Sequence, residues 1–169
     1  MTSPIVDADT VDLDGTLALI DVRREEDYNQ GHITGAVNLP LASLLSGDSP
    51  ESTVKLFEEL GIADDTKVVV YDDTFGALAS RVAWPLQYIG HKNVALLEVT
   101  YSQWKDLGLK TSTEKPNIKS AKHSLNLNPE IMATAEYLEN AKEKDNVVLI
   151  DNREPVSYTH LTLPTIYSV

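Results

Sequence analysis

The residues best placed for chemistry follow the run Lys67 to Tyr71, KVVVY. Its β-branched side chains show no alternation, the pattern of a parallel strand buried on both faces. In open parallel sheets, ligands bind beyond the carboxyl ends of the strands. The residues there are Asp72, Asp73, Thr74, Phe75, Gly76 and Ala77. A carboxylate at such a strand end can hold negative charge and accept loop N–H groups. Asp72 and Asp73 could suggest a cation pair, but no histidine stands nearby, and two adjacent carboxylates more often end a loop in solvent. No metal and no cofactor is expected. The chain has no cysteine. That removes thiolate nucleophiles, thiolate metal sites and disulfides together.

A second group lies in Leu17 to Leu41, LALIDVRREEDYNQGHITGAVNLPL. Asp21 and Arg23 close an apolar run and should pin the following loop through charge-assisted hydrogen bonds. Gly31 and Gly35 should supply backbone angles that other residues resist. His32 reads as a buried, hydrogen-bonded imidazole rather than a catalyst. Arg81 could face a cleft and hold an anion, or pair with an acidic neighbour. His91 and His123 lack metal-ligand spacing. Trp84, Tyr88 and Trp104 read as core or interface aromatics. One motif is a decoy: Asp12-Leu13-Asp14-Gly15-Thr16 resembles the signature of the haloacid dehalogenase phosphatases. In that reading Asp12 attacks phosphate and Asp14 is acid and base. The family places its motif at the end of an apolar strand, whereas here the preceding residues are polar and the apolar run follows. Asp14 to Thr16 instead reads as a turn.

The elements that must hold these residues follow from periodicity. Leu17 to Ile20, Val37 to Leu39, Lys67 to Tyr71 and Val94 to Leu97 read as strands. Ser49-Pro50 caps a helix with Val54, Phe57 and Leu60 on one face, closed by Gly61. A second helix runs from about Ala77 to Ile89. Pro85 falls inside it, which predicts a kink or a late start. Tyr101 to Leu107 is a short helix. Strands alternating with helices predict an α/β fold with a parallel sheet of about five strands, flanked by helices on both sides.

Asp21, Arg23, Tyr28, Gly31, His32, Ile33, Gly35 and Ala36 together resemble the first signature of the rhodanese (sulfurtransferase) family. The second block, Val68 to Asp72, Ala79, Arg81, Trp84, Gly90, His91, Asn93, Val94, Leu97 and Trp104, resembles the rest of a rhodanese domain. The nearer likeness is to the amino-terminal copy in two-domain thiosulfate and 3-mercaptopyruvate sulfurtransferases. The resemblance spans roughly residues 15 to 110. It implies a rhodanese-like fold and, in a full-length parent, transfer of sulfur from a small sulfur-containing anion through a cysteine persulfide. It places Asp72 where the nucleophilic cysteine would stand, as the amino-terminal copy typically lacks that residue. One departure is Val99-Thr100 where the family usually has Gly-Gly, which predicts a different or strained turn.

Residues 111–127 are polar and read as a solvated linker. Asn128-Pro129 then caps a new helix with Ile131, Ala135 and Leu138 on one face, and Val147 to Ile150 reads as a strand. Leu149-Ile150-Asp151-Asn152-Arg153 repeats Leu19-Ile20-Asp21-Val22-Arg23, so residues 128–155 read as the start of a second copy. Residues 156–169, VSYTHLTLPTIYSV, leave the pattern and read as a non-native, adapter-derived tail. The domain expectation is therefore residues 1–110, then the linker, then a truncated second domain. The missing part of that domain is the expected docking partner. The 169 residues are 42% hydrophobic, enough for one substantial core. A net charge of −12 disfavours nucleic acid. No apolar run is long enough to span a bilayer, and residues 1–12 lack the features of a signal peptide. A cytoplasmic location is the expectation. Two competing functions are a non-catalytic rhodanese-like module that binds a partner protein, and the phosphatase.

Overall fold

The computed structural model describes residues 4–13, 17–47, 49–141, 144 and 146–150. These divide between two units, Met1–Met132 and Ala133–Val169. In the first unit, strands β1 (Ile5–Val6), β2 (Leu17–Asp21), β4 (Val37–Asn38), β5 (Lys67–Tyr71) and β6 (Val94–Leu97) form one sheet in the order β1-β6-β5-β2-β4. Every pairing in it is parallel. A separate antiparallel pair joins β3 (His32–Ile33) to β7 (Thr111–Ser112).

The central place of β5 follows from its composition. Val68, Val69 and Val70 are all fully buried, so only apolar side chains suit either face. Val68 and Val70 join Ile20, Phe57, Val82 and Leu86 in one core. Val69 and Tyr71 point the other way, joining Leu19, Tyr28, Ile33 and Trp104. Helices α3 (Pro50–Glu59) and α4 (Ala79–Tyr88), with α2 (Leu41–Leu45), pack into the first core. Helices α1 (Glu25–Gln30) and α5 (Tyr101–Asp106) supply Tyr28, Tyr101 and Trp104 to the second. The sheet is thus covered on both sides, as expected of a parallel sheet.

Local chemistry sets the helix ends. Ser49 and Ser52 form a reciprocal capping box at α3, with Pro50 in the first turn. Thr100 and Gln103 form another at α5. The Gly-Gly departure is thereby resolved without strain. The chain leaves β6 through an extended Thr100 that caps the next helix, so no left-handed residue is needed there.

Several expectations are corrected. No strand is predicted before Leu17, yet β1 pairs with β6, and Leu96 and Glu98 donate to the carbonyls of Pro4 and Val6; the polar run Asp7 to Val11 forms no strand, as expected. A strand of two residues leaves no periodic signature. Helix α4 starts at Ala79 rather than Ala77, and Pro85 remains inside it. The supposed solvated linker is bound to the domain. Ala121 donates to the Glu58 carbonyl, Asn126 to Ile89 and Asn128 to Tyr88, each at 2.8–3.0 Å. A polar segment whose own backbone bonds to the domain gives no apolar signal in sequence. Asn128-Pro129 begins only a short 3-10 turn over Pro129–Ile131.

In the second unit, α6 spans Ala135–Ala141. Residues 147–150 do not form the expected strand, and Val148, Leu149 and Ile150 are exposed. A parallel strand exists only as part of a ladder, and no partner strand lies in this unit among the described residues. Asp151 to Arg153 and the 156–169 tail lie outside the described residues, as does Asp14.

Candidate functional site

Asp72 directly follows β5 and turns inward, so that only 2% of it is exposed. Its Oδ1 accepts the backbone N–H groups of Thr74 and Gly76, each at 2.9 Å. Its Oδ2 accepts those of Leu78 at 2.8 Å and Ala79 at 2.9 Å, and the Thr74 hydroxyl at 2.7 Å. The loop must curl tightly to bring these donors together. Phe75 and Gly76 take left-handed backbone angles, with φ of 53° and 84°. Gly76 accepts this freely, while Phe75 pays in strain and stands 82% exposed at the loop tip. The late start of α4 has the same cause. The amides of Leu78 and Ala79 serve Asp72 at the point where a helix leaves its first amides without internal partners.

Burial alone would push the Asp72 carboxyl up. The Thr74 hydroxyl and the N–H groups of Ala79, Gly76 and Thr74 outweigh it and hold the group below the ordinary carboxylate range. The cradle is therefore full: its donors are spent on a carboxylate of the chain itself.

Asp73 is exposed, as a loop end in solvent would be, but it is also tied down. Its Oδ1 and Oδ2 accept the N–H and hydroxyl of Ser102, both at 2.9 Å, which ties the loop to the first turn of α5. Ala77 is exposed and donates to the Thr74 carbonyl.

The signature residues build the neighbouring wall. Arg23 is bidentate on Asp21, with Nη2 to Oδ2 at 2.6 Å and Nε to Oδ1 at 3.0 Å. The same Nη2 donates to the Gly31 carbonyl at 2.7 Å and so fixes the loop, as the sequence predicted. Burial works against the Arg23 charge, but Asp21 outweighs it and the guanidinium is held more firmly protonated. The Asp21 backbone carbonyl accepts from Leu39 and from the Asn38 side chain. Gly35 uses its freedom at φ 83°. Gly31 does not: its φ of 160° is extended. What Gly31 supplies is room, since a Cβ there would lie 2.6 Å from the Tyr101 hydroxyl. His32 is fully buried, stacked on Tyr28 at 3.8 Å, with Nδ1 at 2.9 Å from the Tyr28 carbonyl and Nε2 at 3.1 Å from that of Glu114.

Between this wall and the Asp72 loop lies an open cleft of about 600 Å³, lined by Arg23, Arg24, Asp73, Thr74, Tyr101 and Lys105 among others. The Arg23 guanidinium lies 3.7 Å from the Tyr101 ring centroid, and Lys105 Nζ lies 5.0 Å from it. Tyr101 was not singled out by sequence. It shares no motif with Arg23, and only the fold brings the start of α5 over the end of β2. Arg81 is exposed on α4. It is not among the residues lining the cleft, and it makes no ion pair among the described residues. Asp12 is exposed and lies in no strand. Among the described residues, no group of three or more histidine, aspartate or glutamate side chains could hold a metal ion. No described helix is long and apolar enough to cross a membrane.

Residues 7–107 match the family described as the rhodanese-like domain. The chain is 30% identical over 142 residues to the sulfur carrier protein TtuD of Thermus thermophilus, covering 78% of this chain and 50% of that protein. It is 30% identical over 150 residues to the thiosulfate sulfurtransferase of Pseudomonas aeruginosa, covering 84% and 55%. The crystal structure of SseA from Escherichia coli, described as showing the rhodanese fold of 3-mercaptopyruvate sulfotransferases, superimposes with a TM-score of 0.73 at 24% identity. That match covers 83% of this chain and 63% of the other and is a likeness of fold. The chain spans about half the length of the curated relatives it matches. The parallel sheet, the cupped loop at its central strand and the family match over more than half the chain agree: this chain belongs to the rhodanese-like family.

Proposed function

We propose that this chain is the non-catalytic, amino-terminal part of a two-domain sulfurtransferase. The observation that carries the reading is Asp72. A persulfide needs a sulfur nucleophile at the end of the central strand. The cupped loop is there, but a carboxylate fills it through four backbone N–H groups and one hydroxyl. With no cysteine anywhere in the chain, sulfur cannot be carried by this route. The parent's substrate is a small sulfur-containing anion such as thiosulfate or 3-mercaptopyruvate, handled by a second copy of the domain. The remainder of that copy is the docking partner. Phe75 at the loop tip and Trp84, 40% exposed on α4, supply apolar surface for it.

The test is cyanide-dependent thiocyanate formation, measured with thiosulfate and with 3-mercaptopyruvate as donors. This chain is expected to give the background rate with both. Turnover above background that Asp72→Ala abolishes would overturn the reading.

A further inference from the structure

The segment from Ile118 to Asn128 lies along the domain as a strap, and one of its fastenings joins two buried imidazoles. His91 follows α4 and is 3% exposed; His123 on the strap is 7% exposed. His91 Nδ1 faces His123 Nε2 at 3.2 Å, and His91 Nε2 lies 2.9 Å from the Thr66 carbonyl.

The partners dictate where the protons sit. A carbonyl only accepts, so His91 Nε2 carries a hydrogen. In the neutral ring His91 Nδ1 is then bare and must accept, so His123 Nε2 carries a hydrogen too. That leaves His123 Nδ1 bare, buried and without a hydrogen-bond partner, with Asp64 Oδ1 at 3.7 Å. One added proton has a place at this nitrogen, facing a carboxylate. A second has none: on His91 Nδ1 it would set N–H against N–H and one cation against another.

We propose that His91 and His123 form a proton-operated latch, which holds the strap while His91 Nδ1 is bare and releases it when both rings are protonated. The charged groups facing the pair are Asp64, from the loop before β5, and Glu58, on α3, whose Oε1 accepts the backbone N–H of His123 at 3.1 Å. Lys92 and Lys122, the chain neighbours of the two rings, are exposed. Asp64 is already engaged by the strap, accepting the N–H and hydroxyl of Ser124 at 2.7 and 2.9 Å. Burial, then the His123 charge, holds His91 below the ordinary imidazole range, while Thr66, the Asn93 backbone and Asp64 offset this only in part.

The sign follows from proton counting. The docked pair accommodates one added proton and the released pair two, so acid favours release. The equilibrium shifts by up to about tenfold per pH unit below the titration of the free ring, near 6.5. Stability of docking is complete above that range and is lost as pH falls through the depressed value of docked His91. The inference does not depend on the sulfurtransferase reading.

The experiment is amide hydrogen exchange on the full chain from pH 7.5 to 5.0, corrected for intrinsic rates. Protection of Asn126 and Asn128, whose amides bond to Ile89 and Tyr88, should fall about tenfold or more, while Val69 in β5 keeps its protection. Strap protection that stays flat, or that falls in step with β5, would overturn the latch. His91→Gln offers a donor and an acceptor but cannot ionise, so it should hold the strap in acid; a pH dependence that survives there counts against the proposal. Should that variant not fold, ring nitrogen shifts in the unmodified chain decide instead. Strap loss must then track protonation of His91, and loss while His91 is still neutral refutes it.

Discussion

At the scale of single residues, Asp72 does for this domain what a capping side chain does for a helix, but for a whole loop. Asp72→Ala would leave four N–H groups and a hydroxyl without their acceptor. Each buried donor left unpaired costs about 1–3 kcal/mol, less where water can enter. A loss on the order of 3 kcal/mol and a drop in melting temperature of roughly 10 °C are expected. Asp72→Asn should also destabilise, because its amide turns an NH2 toward groups that themselves donate, and so separates hydrogen bonding from packing. The pH dependence has a definite sign. The folded carboxyl is held below its ordinary value. Its contribution is therefore complete above the unfolded range near 4 and disappears as pH falls through the folded value. Thermal melts of both variants against the parent at pH 7 and pH 3 check this: the gap should narrow in acid. The same residue explains what was legible in sequence. Its position after β5 was plain from KVVVY. The tight turn at Phe75 and the tie from Asp73 to Ser102 were not, because both depend on groups that only the fold brings together.

At the scale of elements, the central strand and the capped helices were readable because their signals are local: unbroken β-branched residues in β5, and Ser49-Pro50 at α3. The two-residue β1 and the strap were not readable, because their backbone hydrogen bonds join groups distant in sequence and leave no period behind. Helix α4 is the element whose sequence conflicts with its own form. Pro85 sits well inside it, where it cannot donate to the Arg81 carbonyl one turn back. An interior proline costs a helix about 3 kcal/mol, offset in part by a stiffer unfolded chain, about 1 kcal/mol. Pro85→Ala should therefore stabilise the domain by about 1–2 kcal/mol. Urea unfolding checks it, with a higher midpoint and an unchanged slope expected. A fall in the midpoint would mean that the ring's packing matters more than the missing hydrogen bond.

At the scale of the whole molecule, the question is where the folded domain stops. The family match ends at residue 107, but the structure continues its bonding well beyond. β7 pairs with β3, the Glu114 carbonyl meets buried His32, and Ser124 engages Asp64. Two glycines have their αL turns closed over by the strap: a Cβ at Gly61 would press on the Lys119 carbonyl, and one at Gly90 would overlap that of Asn126. Such close approach is part of the packing and is not that of a tether draped over solvent. A chain ended after Lys110 would strip the partner from β3, from His32 and from His91 at once. Compared with a chain ended after Met132, it should lose about 3–5 kcal/mol, the range for uncovering several buried polar groups together. Circular dichroism melts of the two chains decide the matter. Equal melting temperatures would show that the strap adds nothing and that the domain closes at residue 110. A large drop would make the strap part of the folding unit, so that the folded domain closes beyond residue 110 and the family match alone understates it.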